Sequence, residues 1–179
     1  MYYEDMNGCT LFYGISDDDL GSLLECINYR RCSYRKGAVI IPENSSVDSI
    51  GIILRGAVSL VKEDIRGSRT AIAVLGRNEL FGETFASGSP KSSTLTYTAS
   101  EDSDILFAEL ESILHTCSRS CPYHRQLSVN LIRMLTDKNR MLMEKLEITS
   151  KRTLREKILA YLSSVSERSG KDYFEIPLG

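Results

Sequence analysis

Between Lys36 and Leu110 the apolar residues recur in short runs of period two, and a turn signal breaks each run after a few residues. Ile50, Ile52 and Leu54 form one run, Val58 and Leu60 another, Ile72 and Val74 a third, and Leu95, Tyr97 and Ala99 a fourth. Period two puts these side chains on one face of a strand. The breaks are Lys36-Gly37, Glu43-Asn44, Arg55-Gly56, Arg66-Gly67, Gly76-Arg77-Asn78 and Ser87-Gly88-Ser89-Pro90, all rich in residues that reverse a chain. Strands so short and so closely spaced leave no room for the crossover helices of a parallel sheet. They predict an antiparallel β-barrel or jelly roll, a sheet closed or folded on itself.

Helical periodicity flanks this region. Ser16-Asp17-Asp18-Asp19 is a helix start, and Leu20, Leu23, Leu24 and Ile27 follow at helical spacing. After Glu109 a short helix is expected to about Ser118, and Pro122 suits the first turn of a much longer one reaching about Ile148. Leu127, Leu131, Leu135, Leu142 and Leu146 recur every three or four residues along it, except at the step across Lys138. A helix of about 25 residues spans close to 40 Å, more than a small barrel is wide. Part of its stripe therefore packs on the barrel or pairs with a second copy as a parallel coiled coil, which would make a homodimer. A further helix is expected after Thr149-Ser150, burying Leu154, Ile158, Leu159 and Leu162, with a strand start over 174–179. The class is α+β.

The segment from Leu75 to Ser93 carries the candidate chemistry. Phe81-Gly82-Glu83 forms a turn, and Lys91, Ser92 and Ser93 follow within ten residues. Gly82 allows close backbone approach, and the following N–H groups with Lys91, Ser92 and Ser93 suit an anion. Thr84, Phe85, Leu95 and Tyr97 are candidates to line a less polar pocket.

Other chemistries are poorly supplied. At 179 residues and 42% apolar composition, the chain has enough material for one full domain and part of a second. Its first ten residues are polar and acidic, unlike a signal peptide, and no apolar run is long enough to span a bilayer, so a cytoplasmic protein without membrane contact is expected. The five cysteines form no CxxC pair. Cys117 and Cys121 bring two sulfurs, short of a four-ligand site, so structural thiols and no metal are expected. No histidine lies between Lys36 and Leu110, which argues against a metal-dependent barrel enzyme, and Glu101, Asp102 and Asp104 read as a solvated turn. His115 and His124 read as surface or packing residues rather than haem ligands. The net charge of −2 conceals a basic cluster of Lys145, Lys151, Arg152, Arg155 and Lys157, suited either to phosphates or to a solvated helix face.

Lys36-Gly37-Ala38-Val39-Ile40, Ile53-Leu54-Arg55-Gly56-Ala57-Val58, Leu75-Gly76, Phe81-Gly82-Glu83 and Ser89-Pro90-Lys91-Ser92 stand in an order and spacing that resembles the cAMP receptor protein and fumarate–nitrate regulator (Crp/Fnr) superfamily of bacterial transcription factors. Asn44 and Asn78 occupy positions where that family usually has glycine, and asparagine is the next-best residue at positive φ. The resemblance implies a cyclic-nucleotide-binding-domain-like effector domain over 1–120, a dimerisation helix over 121–148 with Leu127, Leu131, Leu135, Leu142 and Leu146 as its contacts, and the start of a winged helix-turn-helix DNA-binding domain over 149–179, truncated at Gly179. It implies DNA as a partner of the full-length protein, through the missing part. It also implies an effector site at Gly82, Glu83, Thr84, Lys91, Ser92, Ser93 and Leu142, in which Glu83 accepts from a ribose-type hydroxyl and Lys91 stands for the phosphate-binding arginine. Lysine offers no bidentate fork, and Leu142 and Met143 replace the Thr-Ser pair expected against adenine. Both departures argue for a small-molecule effector other than cAMP or cGMP. The cysteines Cys9, Cys26 and Cys32 are too dispersed for the fumarate–nitrate type of cluster. The implied protein is a ligand-responsive, non-enzymatic regulator, with a ligand-binding or protein-interaction module lacking DNA-binding activity as the alternative.

Overall fold

The computed structural model describes Met6 and residues 8–87, 91–114 and 122–169. Gly88, Ser89, Pro90, His115, Cys117, Cys121 and the strand start expected over 174–179 lie outside the described residues. The chain divides into two compact units, Met1–Leu131 and Ile132–Gly179.

The first unit opens with a 3-10 turn at Thr10–Phe12 and helix α1, Asp17–Cys26. The Ser16 hydroxyl caps α1 by accepting the Asp19 N–H, and three aspartates occupy its positive end. Leu20, Leu23, Leu24 and Ile27 are all buried, as their spacing predicts. Eight strands follow: β1 (Tyr29–Tyr34), β2 (Val39–Ile41), β3 (Ser49–Arg55), β4 (Val58–Glu63), β5 (Arg69–Leu75), β6 (Leu80–Phe81), β7 (Thr96–Ala99) and β8 (Ser103–Glu109). Helix α2, Glu83–Ala86, separates β6 from β7, and α3, Leu110–Leu114, continues from β8.

The strands make two four-stranded antiparallel sheets, ordered β1-β8-β3-β6 and β2-β7-β4-β5. This corrects the expectation of a closed barrel. With β2 three residues long and β6 only two, the edge strands are too short to carry a continuous ladder from sheet to sheet. The described bridge between Ser46 and Ser92 stands outside both ladders. The start of a winged-helix domain is likewise not shown by the fold.

Turn chemistry follows the sequence. Gly37, Gly56, Gly67, Asn44 and Asn78 all have positive φ, so asparagine does replace glycine in the left-handed region at the two expected positions. Glu101 and Asp102 lie exposed in the bend before β8, a solvated turn as expected, with the Asp102 carboxylate accepting the Lys36 N–H at 2.8 Å, whereas half-buried Asp104 belongs to β8, accepts from Ser33 Oγ at 2.5 Å and pairs with Arg31 at 3.2 Å. The Ser33 hydroxyl, and then the Arg31 guanidinium, hold the Asp104 carboxyl below its usual range. β5 runs in the opposite phase from the one expected. Ile72 and Val74 are 54% and 62% exposed, whereas Leu75 is buried. On this edge strand Leu75 is buried and Ala73 half-buried, paired with Val58 and Leu60, while Ala71, opposite Val61 beyond the bulge, is exposed, so the β-branched residues of the run lie on the open face.

The core centres on Gly51. Its ladder partners are Phe81 on β6 and Phe107 on β8, which places both rings on the same face of the sheet as Gly51. A Cβ on Gly51 would stand 2.3 Å from the tip of the Phe81 ring. Phe81 stacks on Tyr97 of β7 at 5.2 Å between centroids and meets Phe107 edge-on at 6.0 Å, arrangements that aromatic quadrupoles favour. Phe81 therefore bonds in one sheet and packs on the other.

Helix α4, Pro122–Ser150, starts at Pro122 as expected. Its first turns belong to the first unit. Leu127 and Leu131 are fully buried there, and buried Asn130 donates from Nδ2 to the carbonyls of Leu11 and Tyr13. His124 is buried too, a packing residue rather than a surface one. In the second unit α4 is followed by α5, Leu154–Ser169. It begins after Thr149-Ser150 as expected, but these two do not cap it, since their hydroxyls bond back to carbonyls of α4. A capping box at Thr153 begins it: Glu156 N–H donates to Thr153 Oγ1 at 3.2 Å and Thr153 N–H to Glu156 Oε2 at 2.9 Å. The expected buried face of α5 is open in this chain, with Leu154, Ile158 and Leu159 all exposed and Leu162 half-buried.

Gly51→Ala is expected to destabilise the protein by about 2 kcal/mol through overpacking against Phe81, a fall in Tm of roughly 4–8 °C by calorimetry. Adding Phe81→Leu should recover part of that loss; a neutral Gly51→Ala would disprove the close fit.

Candidate functional site

Phe81 is fully buried, so the residue after it must leave the sheet at once. Gly82 does so at φ +84 and caps α2, accepting at its carbonyl the N–H groups of Phe85 (3.1 Å) and Ala86 (2.9 Å). An L side chain is strained at this φ, and a Cβ here would lie 3.1 Å from the Ser49 carbonyl and 3.5 Å from Val47 Cγ1. The glycine is needed by the fold itself, apart from any ligand.

Glu83 follows with its side chain largely enclosed, at 9% exposure, while Thr84 is exposed and Phe85 half-buried. The Glu83 carbonyl accepts from Ser87 Oγ at 3.1 Å, closing the short helix. Tyr97 lies against this turn at 3% exposure. Burial, and next the charge of Glu83, push its phenol up to about 12, while a backbone hydrogen bond from Gly82 works the other way. The sequence placed Tyr97 on a pocket wall. In the structure it is the piece of the second sheet that meets both Phe81 and Glu83.

The other half of the expected cradle is laced to the segment before β3. The Lys91 carbonyl accepts the Val47 N–H at 2.9 Å, the Ser93 carbonyl accepts the Asn44 N–H at 2.7 Å, and Ser93 N–H donates to the Ser45 carbonyl at 3.0 Å. Val47 thus touches both halves, its side chain near Gly82 and its amide on Lys91. The Lys91 side chain is exposed and Ser92 half-buried. Ser93 is sealed at 0% exposure, and its hydroxyl donates to the Leu95 carbonyl at 2.6 Å and accepts the Leu95 N–H. Leu142 sits on α4 in the second unit, 57% exposed.

Two neighbours of the cradle went unnoticed in the sequence. Lys62 of β4 donates from Nζ to the Thr94 carbonyl at 2.9 Å and to Glu43 Oε1 at 2.5 Å, a second cation beside the Lys91–Leu95 segment. Its place at the polar end of the Val58 run was the available signal. A cavity of about 230 Å³ opens beside Val47 and Ile41, with Arg30, Ser46, Asp48 and Phe107 among its lining; Arg30 lies 4.8 Å over the Phe107 ring. It is smaller than the pockets that usually enclose a drug-sized ligand. Among the described residues no cluster of three or more histidine, cysteine, aspartate or glutamate side chains could hold a metal ion, and no described helix is long and apolar enough to cross a membrane.

The chain belongs to the cyclic nucleotide-binding domain family, which matches it over residues 31–120, the segment holding both sheets and the Phe81-Gly82-Glu83 turn. Solved structures share the fold. The catabolite activator protein of Thermus thermophilus is 23% identical with a TM-score of 0.61, covering 79% of this chain, which spans 63% of that protein. A cyclic nucleotide-binding domain from Methylobacillus flagellatus is 16% identical with a TM-score of 0.70, covering 86% of each chain. The sensor domain of the transcriptional regulator DNR from Pseudomonas aeruginosa is 17% identical with a TM-score of 0.60, covering 86% of this chain and 95% of that one. No curated protein sequence matches.

The raised phenol sets a pH dependence. Because the folded-state pKa of Tyr97 lies above the ordinary value near 10, its contribution is complete below pH 10 and is lost as pH rises towards 12. Absorbance titration of the nine tyrosines should show at least one phenol ionising near pH 12 or together with unfolding, and Tyr97→Phe should remove that step. Complete titration by pH 10.5 with the fold intact would contradict it.

Proposed function

We propose that this chain is the sensor and dimerisation part of a Crp/Fnr-type transcriptional regulator, cytoplasmic and non-enzymatic, whose effector binds at the turn of Gly82, Glu83 and Thr84 with Lys91 and Ser92 beside it. The observation that carries the proposal is the enclosed carboxylate of Glu83, held at a positive-φ turn within the family segment. A carboxylate there accepts a ligand hydroxyl, and Lys91 supplies a point charge for an anionic group. Ser93, with its hydroxyl engaged at Leu95, shapes the loop. The effector is a hydroxylated anion other than cAMP or cGMP.

In this account residues 1–120 form the effector domain, 121–148 the dimerisation helix and 149–179 the start of a DNA-binding domain. Leu127 and Leu131 belong to the core of the first unit, so the homodimer contact falls to the exposed Leu135, Leu142 and Leu146. The open apolar face of α5, Leu154, Ile158 and Leu159, supports either a following DNA-binding domain or, as a second reading, a protein partner without DNA. Selection of binding sites from random duplexes with the whole reading frame separates the two.

Calorimetry with cAMP, cGMP and a panel of hydroxylated phosphates and carboxylates tests the site. The best ligand should lose about 10- to 100-fold affinity in Glu83→Gln, the worth of one charged hydrogen bond, and less in Lys91→Ala. Binding unchanged in Glu83→Gln would overturn the assignment, and tight cAMP or cGMP binding would overturn the choice of effector.

A further inference from the structure

The cavity of about 230 Å³ beside Val47 and Ile41 opens between β1 and β2, edge strands of different sheets that no ladder joins. Ile40, Ile41 and Val47 give it an apolar wall, Phe107 of β8 an aromatic one, and Arg30 and Asp48 bring opposite charges to it. Arg30 and Phe107 are cross-strand partners, and the guanidinium lies 4.8 Å over the ring. That contact steadies the guanidinium without using any of its N–H donors. Among the described residues it has no hydrogen bond and no ion pair. The Asp48 carboxylate accepts from Ser49 Oγ at 2.8 Å and meets no described cation. Two opposite charges therefore share one cavity without pairing to each other. None of Gly82, Glu83, Thr84 and Lys91 lines it. Val47 and Ile41 form the wall that it shares with Gly82, 3.5 and 3.9 Å from where a Cβ on that glycine would stand.

We infer that this cavity binds a free α-amino acid with an aliphatic side chain, its carboxylate on Arg30, its ammonium on Asp48 and its side chain against Ile40, Ile41 and Val47. A guanidinium meets a carboxylate through two parallel N–H bonds, and Asp48 keeps acceptor capacity beyond the Ser49 bond for an ammonium. A plain anion would answer Arg30 but bring a second negative charge near Asp48, and a plain amine would do the reverse. Like charges so placed cost binding energy. A zwitterion answers both. Size points the same way, since drug-sized ligands usually occupy pockets of about 300 Å³ or more, so this cavity suits a molecule smaller than a nucleotide. The wall selects the side chain: a charged or amide group set against Ile41 and Val47, both buried, would lose its water without gaining a partner. This site is separate from the effector turn and does not depend on it.

Calorimetry on the whole chain with L-leucine, L-valine and L-isoleucine tests this, beside the N-acetyl derivative of the best binder, which lacks the ammonium, and its amide, which lacks the carboxylate. At least one of the three amino acids should bind, and both derivatives should bind about tenfold or more weakly than it does, the worth of one charged hydrogen bond. Arg30→Gln and Asp48→Asn should each cost about tenfold or more. Both side chains are exposed, so the variants should keep the parent Tm. Arg30→Lys, which keeps the charge and loses the fork, should recover only part of the affinity. No binding by any of the three at about 10 mM, binding unchanged in Arg30→Gln, or a derivative that binds as tightly as its amino acid would overturn the inference. Loss of binding in Glu83→Gln would assign the amino acid to the effector turn and overturn it too, while retained binding there supports a separate site.

Discussion

The seating of Phe81 over Gly51 is the constraint on which the first unit depends. β6 is too short to hold its place by ladder bonds alone, so the ring does this work by filling the space that a glycine leaves in β3 and reaching Tyr97 in the opposite sheet. The sandwich needs such a contact because its edges are not joined by strand pairing. Phe81 also fixes where the chain leaves the sheet. Gly82 and Glu83 follow without slack, and the enclosed carboxylate ends up beside the Tyr97 phenol. Core packing and the candidate site are thus one arrangement: the residue that joins the sheets positions the residue proposed to meet a ligand.

Much of this was legible in the sequence, for physical reasons that also explain what was not. Period-two alternation located β3, β4 and β7, and turn residues marked the breaks, because side-chain direction and positive φ are local properties. The substitution of asparagine at 44 and 78 was readable for the same reason. The phase of β5 was not, since an edge strand covered only towards its Leu75 end carries no local sign of which face the second sheet will meet. Nor was the gap between the sheets, which depends on the lengths of β2 and β6. At the cradle, the Phe81-Gly82-Glu83 turn was evident, while the bonds from Asn44 and Val47 to the Lys91–Ser93 segment join residues more than forty positions apart.

The long helix shows how a single stripe can serve two purposes. Leu127 and Leu131 face the core of the first unit, where Asn130 ties the helix to the Leu11 and Tyr13 carbonyls. Beyond Leu131 the leucines of the stripe, Leu135, Leu142 and Leu146, are exposed. Counting leucines alone merges the two segments, because a leucine that packs inward and one that awaits a partner are identical in sequence. The same holds at α5, whose apolar face looked buried on periodicity and is open in this chain.

A double-mutant cycle between Phe81 and Tyr97 tests the central claim most directly. Unfolding free energies of Phe81→Leu, Tyr97→Leu, the double variant and the parent should give a coupling of about 1 kcal/mol, the range for a packed aromatic pair. Effects that add to within about 0.3 kcal/mol would mean that Phe81 and Tyr97 do not hold the two sheets together, and the link between core and candidate site would fall with them.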